Sequence, residues 1–521
     1  MKFYFTAAFT RLLVFVGFAI AAAGQELEEG ERLARIHCAA CHGFPEPKLL
    51  PERSWKHLLM HMGLRLGVED LKALEGATEV ERTVIINRRN LLRRAGIIPE
   101  NQAVTHEQWQ LIRNFYLEAG PAEAIPQKGK LEVRHDLELF EVRATPYQRK
   151  AAMISMVHID EANGQIIAGD SGYERLIGLD RNLDLKFEHV TKGSLWVRAL
   201  TRGEDVHLLS IGDLMGRFGD ERMGKLFYGV NKEGAYQGKG MALLDLHRPA
   251  DIGFGDFDGD GEQELVVCNF GNVTGSVDIH QPIVWRFRQE PYITLAREQG
   301  AVDCEVADFD GNGLADVAVL FGNARENLSL FLNQGDGRFE RKVIVEEHAA
   351  FGYTAFKWVD HDSDGDLDVW TINGDNVDAD PFNTLRPYHG IRLYLNDGKL
   401  GFTEAHFFPL YGAYGLEVED FDLDGDLDLA AISFNPDFSN QENFMYYENK
   451  GKGDYVARTM KFPESDRWLT MDAGDFDGDG DKDLVLGGGY IDAGLSVDHP
   501  DLLDRMLHQG RSIVVIENKT R

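Results

Sequence analysis

The first residues that could do chemistry are two cysteines and a histidine in the string Cys38-Ala-Ala-Cys41-His42. A C-x-x-C-H string is typical of c-type haem attachment, because each thiol can form a thioether to a haem vinyl group and the adjacent imidazole can bind the iron. A zinc site would need a second cysteine pair nearby, and Cys268 and Cys304 are remote and 36 residues apart. A thioredoxin-like motif would need a βαβ context, which the surrounding sequence lacks. The string therefore predicts one covalent haem c.

Acidic residues recur in five strings of the form D-x-D-x-[DN]-G-x-x-[DE]. Oxygen ligands at positions 1, 3, 5 and 9, with a glycine at position 6 for the sharp turn, fit a hard cation such as Ca²⁺. An EF-hand would carry flanking helices and a Glu at position 12, whereas these strings precede strand-like runs such as Leu265-Val266-Val267. We therefore expect about five Ca²⁺ ions, one in each string. The expected ligands are Asp256, Asp258, Asp260, Glu264, Asp308, Asp310, Asn312, Asp316, Asp360, Asp362, Asp364, Asp368, Asp420, Asp422, Asp424, Asp428, Asp475, Asp477, Asp479 and Asp483.

The spacing of these strings indicates a repeat architecture. Successive first aspartates lie 52, 52, 60 and 55 residues apart, and periods of this size are typical of propellers and solenoids. The strings, and the Asn-Gly turns between them such as Leu332-Asn333-Gln-Gly335, resemble the FG-GAP/VCBS repeats of α-integrin heads and of many secreted bacterial proteins. The resemblance implies that each repeat is one four-stranded blade whose cation loop joins the first two strands.

The length of the β region sets the number of blades. At about 53 residues per blade, residues 146–521 make seven blades, so two blades precede Asp256. Their second strands are expected at Gly164–Gly169 and Val206–Gly212, and neither carries the aspartate series. The chain ends in a third strand at Ser512–Asn518, and we expect Lys130–Leu137 to supply the outer strand that closes the ring.

Residues 25–125 resemble a class I cytochrome c domain. A short helix, Glu28–His37, leads into the haem string, and a second helix follows the N-cap residue Thr105. In the family the N- and C-terminal helices cross beside the haem, and the second helix has an apolar face suited to that role. That face consists of Trp109, Ile112, Phe115 and Tyr116. The expected fold is a small all-α cytochrome c domain followed by an all-β seven-bladed propeller.

The sixth iron ligand is sought in a short helix expected at Leu50–Gly63, with Gly63 as its C-terminal stop. Met62 shares an apolar face with Trp55, Leu58 and Leu59, so this face is expected to point inward and Met62 to bind the iron. His57 and His61 lie on a different face and are expected at the surface, with His61 as the alternative ligand. Nearby arginines either hold haem propionates, dock an acidic partner, or form a solvated face. They are Arg82, Arg88, Arg89, Arg93 and Arg94.

The N-terminus has the pattern of an export signal. Lys2 and Arg11 precede an apolar run from Leu12 to Ala23 that ends in small residues and is too short to span a bilayer. The expected order is a signal peptide at 1–24, the haem domain at 25–125, a linker with the closing strand at 126–145, and the propeller at 146–521. We expect an exported protein, in the periplasm, at the cell surface or secreted, with no transmembrane segment in the mature chain.

The net charge of −32 argues against a nucleic-acid partner, because phosphates would repel this chain. One hypothesis is an electron-transfer protein whose propeller docks a redox partner protein, a glycan or a cell surface. The alternative is an oxidoreductase whose propeller oxidises a sugar or alcohol and passes electrons to its own haem. No catalytic residues stand out, so enzyme activity is left open. Export permits a disulfide between Cys268 and Cys304, and two buried thiols are the other possibility.

Overall fold

A computed structural model describes residues 24–69, 78–214, 221–232, 234–271, 273–376 and 380–521. Residues 1–23 of the signal peptide expected at 1–24 lie outside the described residues. The chain divides into a helical unit that ends at Ile125 and a β unit that begins at Pro126. Among the described residues, no helix is both long and apolar enough to cross a membrane.

Four helices make up the described part of the helical unit, with a 3₁₀ turn at Pro47–Leu49 before the second. They are α1 (24–37), α2 (Glu52–Arg65), α3 (Glu79–Arg94) and α4 (His106–Ala119). Helix α4 begins as expected at Thr105, whose hydroxyl accepts the amide of Gln108 while the Gln108 side chain accepts the amide of Thr105. This reciprocal cap satisfies two amides that a helix start leaves free. The expected apolar face of α4 is buried.

The β unit is a ring of seven four-stranded antiparallel blades, which confirms the predicted propeller. The strand that precedes blade 1 is β1 (Phe140–Ala144). Blade 1 contains β2 (Ile154–Asp160), β3 (Gln165–Asp170), β4 (Arg175–Asp180) and β5 (Leu185–Val190). Blade 2 contains β6 (Trp196–Arg202), β7 (Asp205–Ser210), β8 (Gly224–Lys232) and β9 (Ala235–Leu246). Strands β3 and β7 coincide with the expected second strands.

Blades 3 to 5 follow the same pattern. Blade 3 contains β10 (Pro249–Gly255), β11 (Glu264–Asn269), β12 (Ser276–His280) and β15 (Ile293–Ala296), with a small hairpin of β13 (Pro282–Ile283) and β14 (Arg286–Phe287). Blade 4 contains β16 (Ala301–Ala307), β17 (Asp316–Phe321), β18 (Asn327–Asn333) and β19 (Phe339–Glu346). Blade 5 contains β20 (Tyr353–Val359), β21 (Asp368–Asn373), β22 (Gly390–Asn396) and β23 (Phe402–Pro409).

Blade 7 differs because its outer strand comes from the start of the β unit. Blade 6 contains β24 (Ala413–Glu419), β25 (Asp428–Ser433), β26 (Phe444–Asn449) and β27 (Tyr455–Arg458). Blade 7 contains β28 (Trp468–Gly474), β29 (Asp483–Gly488), β30 (Ile513–Asn518) and β1. Two helices, α5 (Leu495–Asp498) and α6 (Pro500–Gln509), lie between β29 and β30.

The ring closes through a different segment from the one expected. Strand β1 pairs with β30 from Phe140 opposite Asn518 to Ala144 opposite Val514. The segment Lys130–Leu137 instead runs beside blade 6, where the Arg134 amide donates to the Ala457 carbonyl at 2.9 Å. Both segments alternate apolar and polar residues, so this pattern alone could not decide which of them adds to blade 7.

Each blade has a buried second strand and an irregular first strand. Every residue of β17 is buried, for example, as in β11, β21, β25 and β29. In all seven blades the first strand shifts register by one residue near its start, as between Ala301 and Asp303. Such a bulge increases the local twist of the strand. The repetition places the residues before each cation loop at equivalent positions around the ring.

Candidate functional sites

The acidic strings form the loops between the first and second strands of blades 3 to 7, as the resemblance implied. In each loop three carboxylates bring one oxygen apiece to within 4.8 Å of the other two. The clusters are Asp256–Asp258–Asp260, Asp308–Asp310–Asp316, Asp360–Asp362–Asp368, Asp420–Asp422–Asp428 and Asp475–Asp477–Asp479. Positions 1 and 3 belong to every cluster. Position 5 joins them in blades 3 and 7, and position 9 joins them in blades 4, 5 and 6.

The backbone of each loop explains how the carboxylates converge. In blade 4 the amide of Gly313 donates to Oδ2 of Asp308 at 2.8 Å, and the amide of Leu314 donates to Oδ1 of Asn312 at 2.8 Å. Gly313 has φ of +85°, a conformation that favours glycine. These short-range hydrogen bonds coil the loop so that the side chains at positions 1 and 3 point to one side.

The residue at position 9 also anchors the loop. Asp316 is fully buried, and its carboxylate accepts the Phe309 amide at 2.9 Å and the Asn333 amide at 2.6 Å. Burial raises its pKa to about 6 and raises the pKa of Asp428 and of Asp483 to about 7. A cation beside these carboxylates would oppose that shift, because an opposite charge favours the ionised form.

An asparagine after the third strand braces the loops, a role that the sequence interpretation missed. The side-chain amide of Asn333 donates to the Phe257 carbonyl in the preceding blade at 3.0 Å and to the Ala315 carbonyl in its own blade at 3.1 Å. Asn518 makes the same pair of bonds to Phe421 and Lys482, at 2.8 and 3.1 Å. In the sequence, the asparagine and the following glycine predicted a turn only. It also marks a link between neighbouring cation loops.

Ion pairs join the innermost strands of neighbouring blades along the central channel. Arg198 pairs with Asp251 at 3.0 Å, Lys357 with Glu417 at 2.9 Å, and His158 with Asp472 at 3.3 Å. The partners are 53 to 314 residues apart in sequence, so spacing could not reveal them.

The other two cysteines are buried free thiols, which is the second of the two expected possibilities. Cys304 lies on the innermost strand of blade 4, and its amide donates to Oδ2 of Asp251 at 3.1 Å. Burial raises the pKa of the Cys268 thiol, whose sulfur lies near that of Cys304.

In the helical unit, the cysteine–histidine string follows the end of α1. The Cys38 amide donates to the Ala34 carbonyl at 2.8 Å, which extends the last helical turn to the first cysteine. Nδ1 of His42 lies 2.8 Å from the Gly43 carbonyl, and burial lowers the pKa of this imidazole. A neutral His42 that donates from Nδ1 keeps the lone pair of Nε2 for a metal.

The aromatic face of α4 lies beside this string. The Tyr116 hydroxyl donates to the Pro45 carbonyl at 3.0 Å and is close to the Cys38 sulfur. Burial raises the pKa of Cys38 to about 11, while Cys41 is exposed. The Cys38 thiol is therefore protonated at neutral pH, and both cysteines are free.

Helix α2 differs from its expected form at two places. It continues through Gly63 to Arg65, and a Cβ on Gly63 would lie 2.9 Å from the Trp109 ring, so this glycine permits close packing on α4. His57 and His61 are 6% and 2% exposed, so the expectation that they face solvent is wrong. The helix packs between α3 and α4 and buries more of its circumference than one apolar stripe. Met62 is half-buried.

The arginines of α3 are partly paired. Arg89 and Arg93 both form ion pairs with Glu69, the former at 2.9 Å. Burial, together with the charge of Arg88, lowers the pKa of His61 and of Arg65. Arg88 therefore lies near both groups. The cluster is therefore only in part a solvated face.

A comparison with known protein families identifies the type of repeat in the β unit. The family model described as FG-GAP-like repeat matches residues 256–319, 308–371 and 420–486, which together contain all five acidic loops. The chain is thus a seven-bladed β-propeller that contains FG-GAP-like repeats, preceded by a small helical region. No curated protein matches the sequence significantly.

Two solved structures are similar in shape at low sequence identity. BBS1N, in a crystal structure of its complex with ARL6DN soaked with mercury, has a TM-score of 0.42 and 11% identity, over 74% of this chain and 97% of that chain. Sqt1 of Saccharomyces cerevisiae has a TM-score of 0.39 and 11% identity, over 72% of this chain and 97% of that one. Both TM-scores lie below 0.5, so neither similarity bears on function.

Proposed function

We propose that this protein is an exported electron-transfer protein with one covalent c-type haem and a calcium-stabilised propeller that docks a partner. The observation that carries the haem assignment is the Cys38-x-x-Cys41-His42 string at the end of α1. His42 donates from Nδ1 to the Gly43 carbonyl, which leaves Nε2 as the nitrogen suited to bind iron. Bound haem would supply a one-electron redox centre, and the two thiols would hold it.

The calcium assignment is supported by the three-carboxylate clusters in five equivalent loops. Each cluster holds three negative oxygens within 4.8 Å of one another, an arrangement that a bound cation would stabilise. Asp316, Asp428 and Asp483, whose pKa values burial raises, would lie beside that cation. In this proposal the propeller needs Ca²⁺ for stability rather than for catalysis.

The propeller itself is proposed as the binding module. Its FG-GAP-like repeats suit docking, and the net charge of −32 would steer a cationic surface of a redox partner protein. A glycan or a cell surface is the other class of target, with the periplasm as the expected compartment. Binding to a cationic redox partner should weaken as salt is raised, because exposed charges are screened.

Mass spectrometry of the full-length protein, made with a c-type haem maturation system, tests the proposal. A peptide that contains Cys38 and Cys41 should carry one haem, and Cys41→Ala should leave at most one thioether. The matched control Cys268→Ser should not change the haem content. Mature protein without haem on this peptide would refute the haem assignment.

A second experiment separates the docking role from the alternative of an oxidoreductase. The ferric full-length protein is mixed with sugars, polyols or alcohols and no other protein, and the haem absorbance is followed. We expect no reduction by these compounds and rapid reduction by small redox mediators. Reduction driven by a sugar or alcohol alone would instead identify the propeller as the catalytic part of an oxidoreductase.

A further inference from the structure

His61 is a buried histidine whose ring nitrogens have no hydrogen-bond partner among the described residues. Its side chain is 2% exposed, and neither Nδ1 nor Nε2 forms a hydrogen bond within the part of the chain that the structure describes. Burying an unsatisfied polar group is costly. An apolar side chain, such as those of the neighbours Leu58 and Leu64, would fill this space without unsatisfied polar atoms. The orphaned ring nitrogens therefore point to a ligand.

The surroundings of His61 connect it with the cysteine–histidine string. Arg65 lies one turn further along α2, on the same face as His61. The side chain of Arg65 lies near both His42 and Cys41, so this face of α2 lies close to the string. Arg88 of α3 lies near both His61 and Arg65. The charged side chains around His61 therefore connect α2 and α3 with the region of the string.

We propose that His61, rather than Met62, would be the second protein ligand of the haem iron, in addition to His42. This inference rests on the proposed haem attachment at Cys38, Cys41 and His42. Iron ligation accounts for one of the orphaned nitrogens of His61. Arg65 and Arg88, both close to His61, would provide positive charge for the haem carboxylates.

Met62 fits the role less well than the sequence suggested. It is half-buried, whereas His61 is almost fully buried. Consecutive residues of a helix point about 100° apart, so the two side chains do not face the same region.

The experiment compares single variants by absorbance and by electron paramagnetic resonance of the ferric protein. Wild-type protein should be low-spin and lack the weak red charge-transfer band of a thioether ligand. Met62→Leu should change neither property. His61→Ala should become high-spin, and added imidazole should restore the low-spin state. His57→Ala, which alters another buried histidine of α2, is the matched control and should remain low-spin.

A ligand exchange keeps the test decisive if the alanine variant folds poorly. His61→Met should create the charge-transfer band and raise the midpoint potential, because a methionine ligand raises it. The inference is overturned if wild-type protein has the band and Met62→Leu removes it. Haem content, measured by mass on the same samples, separates the two proposals. Covalent haem with a Met62 ligand refutes only this inference, whereas protein without haem refutes the attachment as well.

Discussion

Blades 1 and 2 have the same strand order as blades 3 to 7 but a different connection between their first two strands. In blade 1 that connection is the four-residue turn 161–164, where Asp160 accepts hydrogen bonds from Asn163. In blade 2 it is only residues 203–204. In blades 3 to 7 it is an eight-residue loop with clustered carboxylates.

The difference shows that the acidic loop is not part of the structure that all seven blades share. The paired strands and their buried second strand are common to all seven blades, whereas the acidic loop is an addition to five of them. Three carboxylates within 4.8 Å of one another repel when ionised, and a counter-charge would relieve this repulsion. We therefore expect calcium to act on blades 3 to 7 and to leave the first turns of blades 1 and 2 unaffected.

Removal of calcium should have the largest effect. A ligand that binds only the native state stabilises it by about 2.7 kcal/mol per site when present at 100 times its Kd. With five sites in one ring, chelation should strongly lower the Tm of the propeller, measured by scanning calorimetry in calcium and in chelator. Hydrogen exchange should rise first in the loops of blades 3 to 7. An equal Tm in both buffers would contradict the assignment of five calcium sites.

A single loop should account for about one site. Asp308→Asn removes one charge from the blade 4 cluster, and we expect it to reduce the stabilisation by calcium by about 2 kcal/mol. The control is Asp180→Asn in blade 1, where Oδ1 accepts the amides of Asn182 and Asp184 in a tight turn outside the clusters. Urea unfolding gives the free energy of unfolding with and without calcium. The difference between these two values should be smaller than in the wild type for Asp308→Asn only.

The asparagine brace offers a test that is independent of calcium. Asn333→Ala leaves the Phe257 and Ala315 carbonyls without their donor, and the expected loss of stability is about 1–3 kcal/mol. Asn231 has the equivalent place in blade 2, where it donates to Asp160 and Gln165 of blade 1. Asn231→Ala should therefore cost a similar amount. A much smaller loss for Asn231→Ala would show that the brace works only beside a cation loop.

The last effect is expected at the opposite end of the blades and depends on pH. Burial raises the pKa of Glu326 to about 8 from an ordinary value of 4.5. Between these values the folded protein keeps a proton that the unfolded chain has lost, so stability should fall by up to about 1.4 kcal/mol per pH unit as pH rises. Glu326→Gln keeps an acceptor for the Gly352 and Tyr353 amides and should flatten this fall.

Urea unfolding at pH 5.5 and pH 7.5 measures the effect. Glu174, directly before the third strand of blade 1 as Glu326 is in blade 4, is half-buried and provides the control Glu174→Gln. The free energy of unfolding of Glu174→Gln should change with pH as that of the wild type does. If the free energy of unfolding changes equally between these pH values for Glu326→Gln and for the wild type, Glu326 ionises normally.

The sequence was informative where a feature is local. The loop motif and the cap at Thr105 each lie within a few residues, and each predicted the element that the structure has. Features that join distant segments were missed, because alternation alone does not say which sheet a strand joins. Hence Lys130–Leu137 was predicted as the closing strand, whereas Phe140–Ala144 has that place in the structure. His61 was placed at the surface because one helical stripe was assumed, whereas α2 packs against two other helices.

The pairing of β1 with β30 has a consequence for the order of folding. Blades 1 to 6 are built from consecutive strands, so each can form as soon as its own residues have been synthesised. Strand β1 is made before all of them, yet its partner, residues 513–518, is made after them. Phe140 and Val142 thus remain without their sheet throughout synthesis of the ring, and closure is a long-range step of the kind that folds slowly. Until then β1 is an unpaired strand that exposes Phe140, and an unpaired strand of this kind favours aggregation.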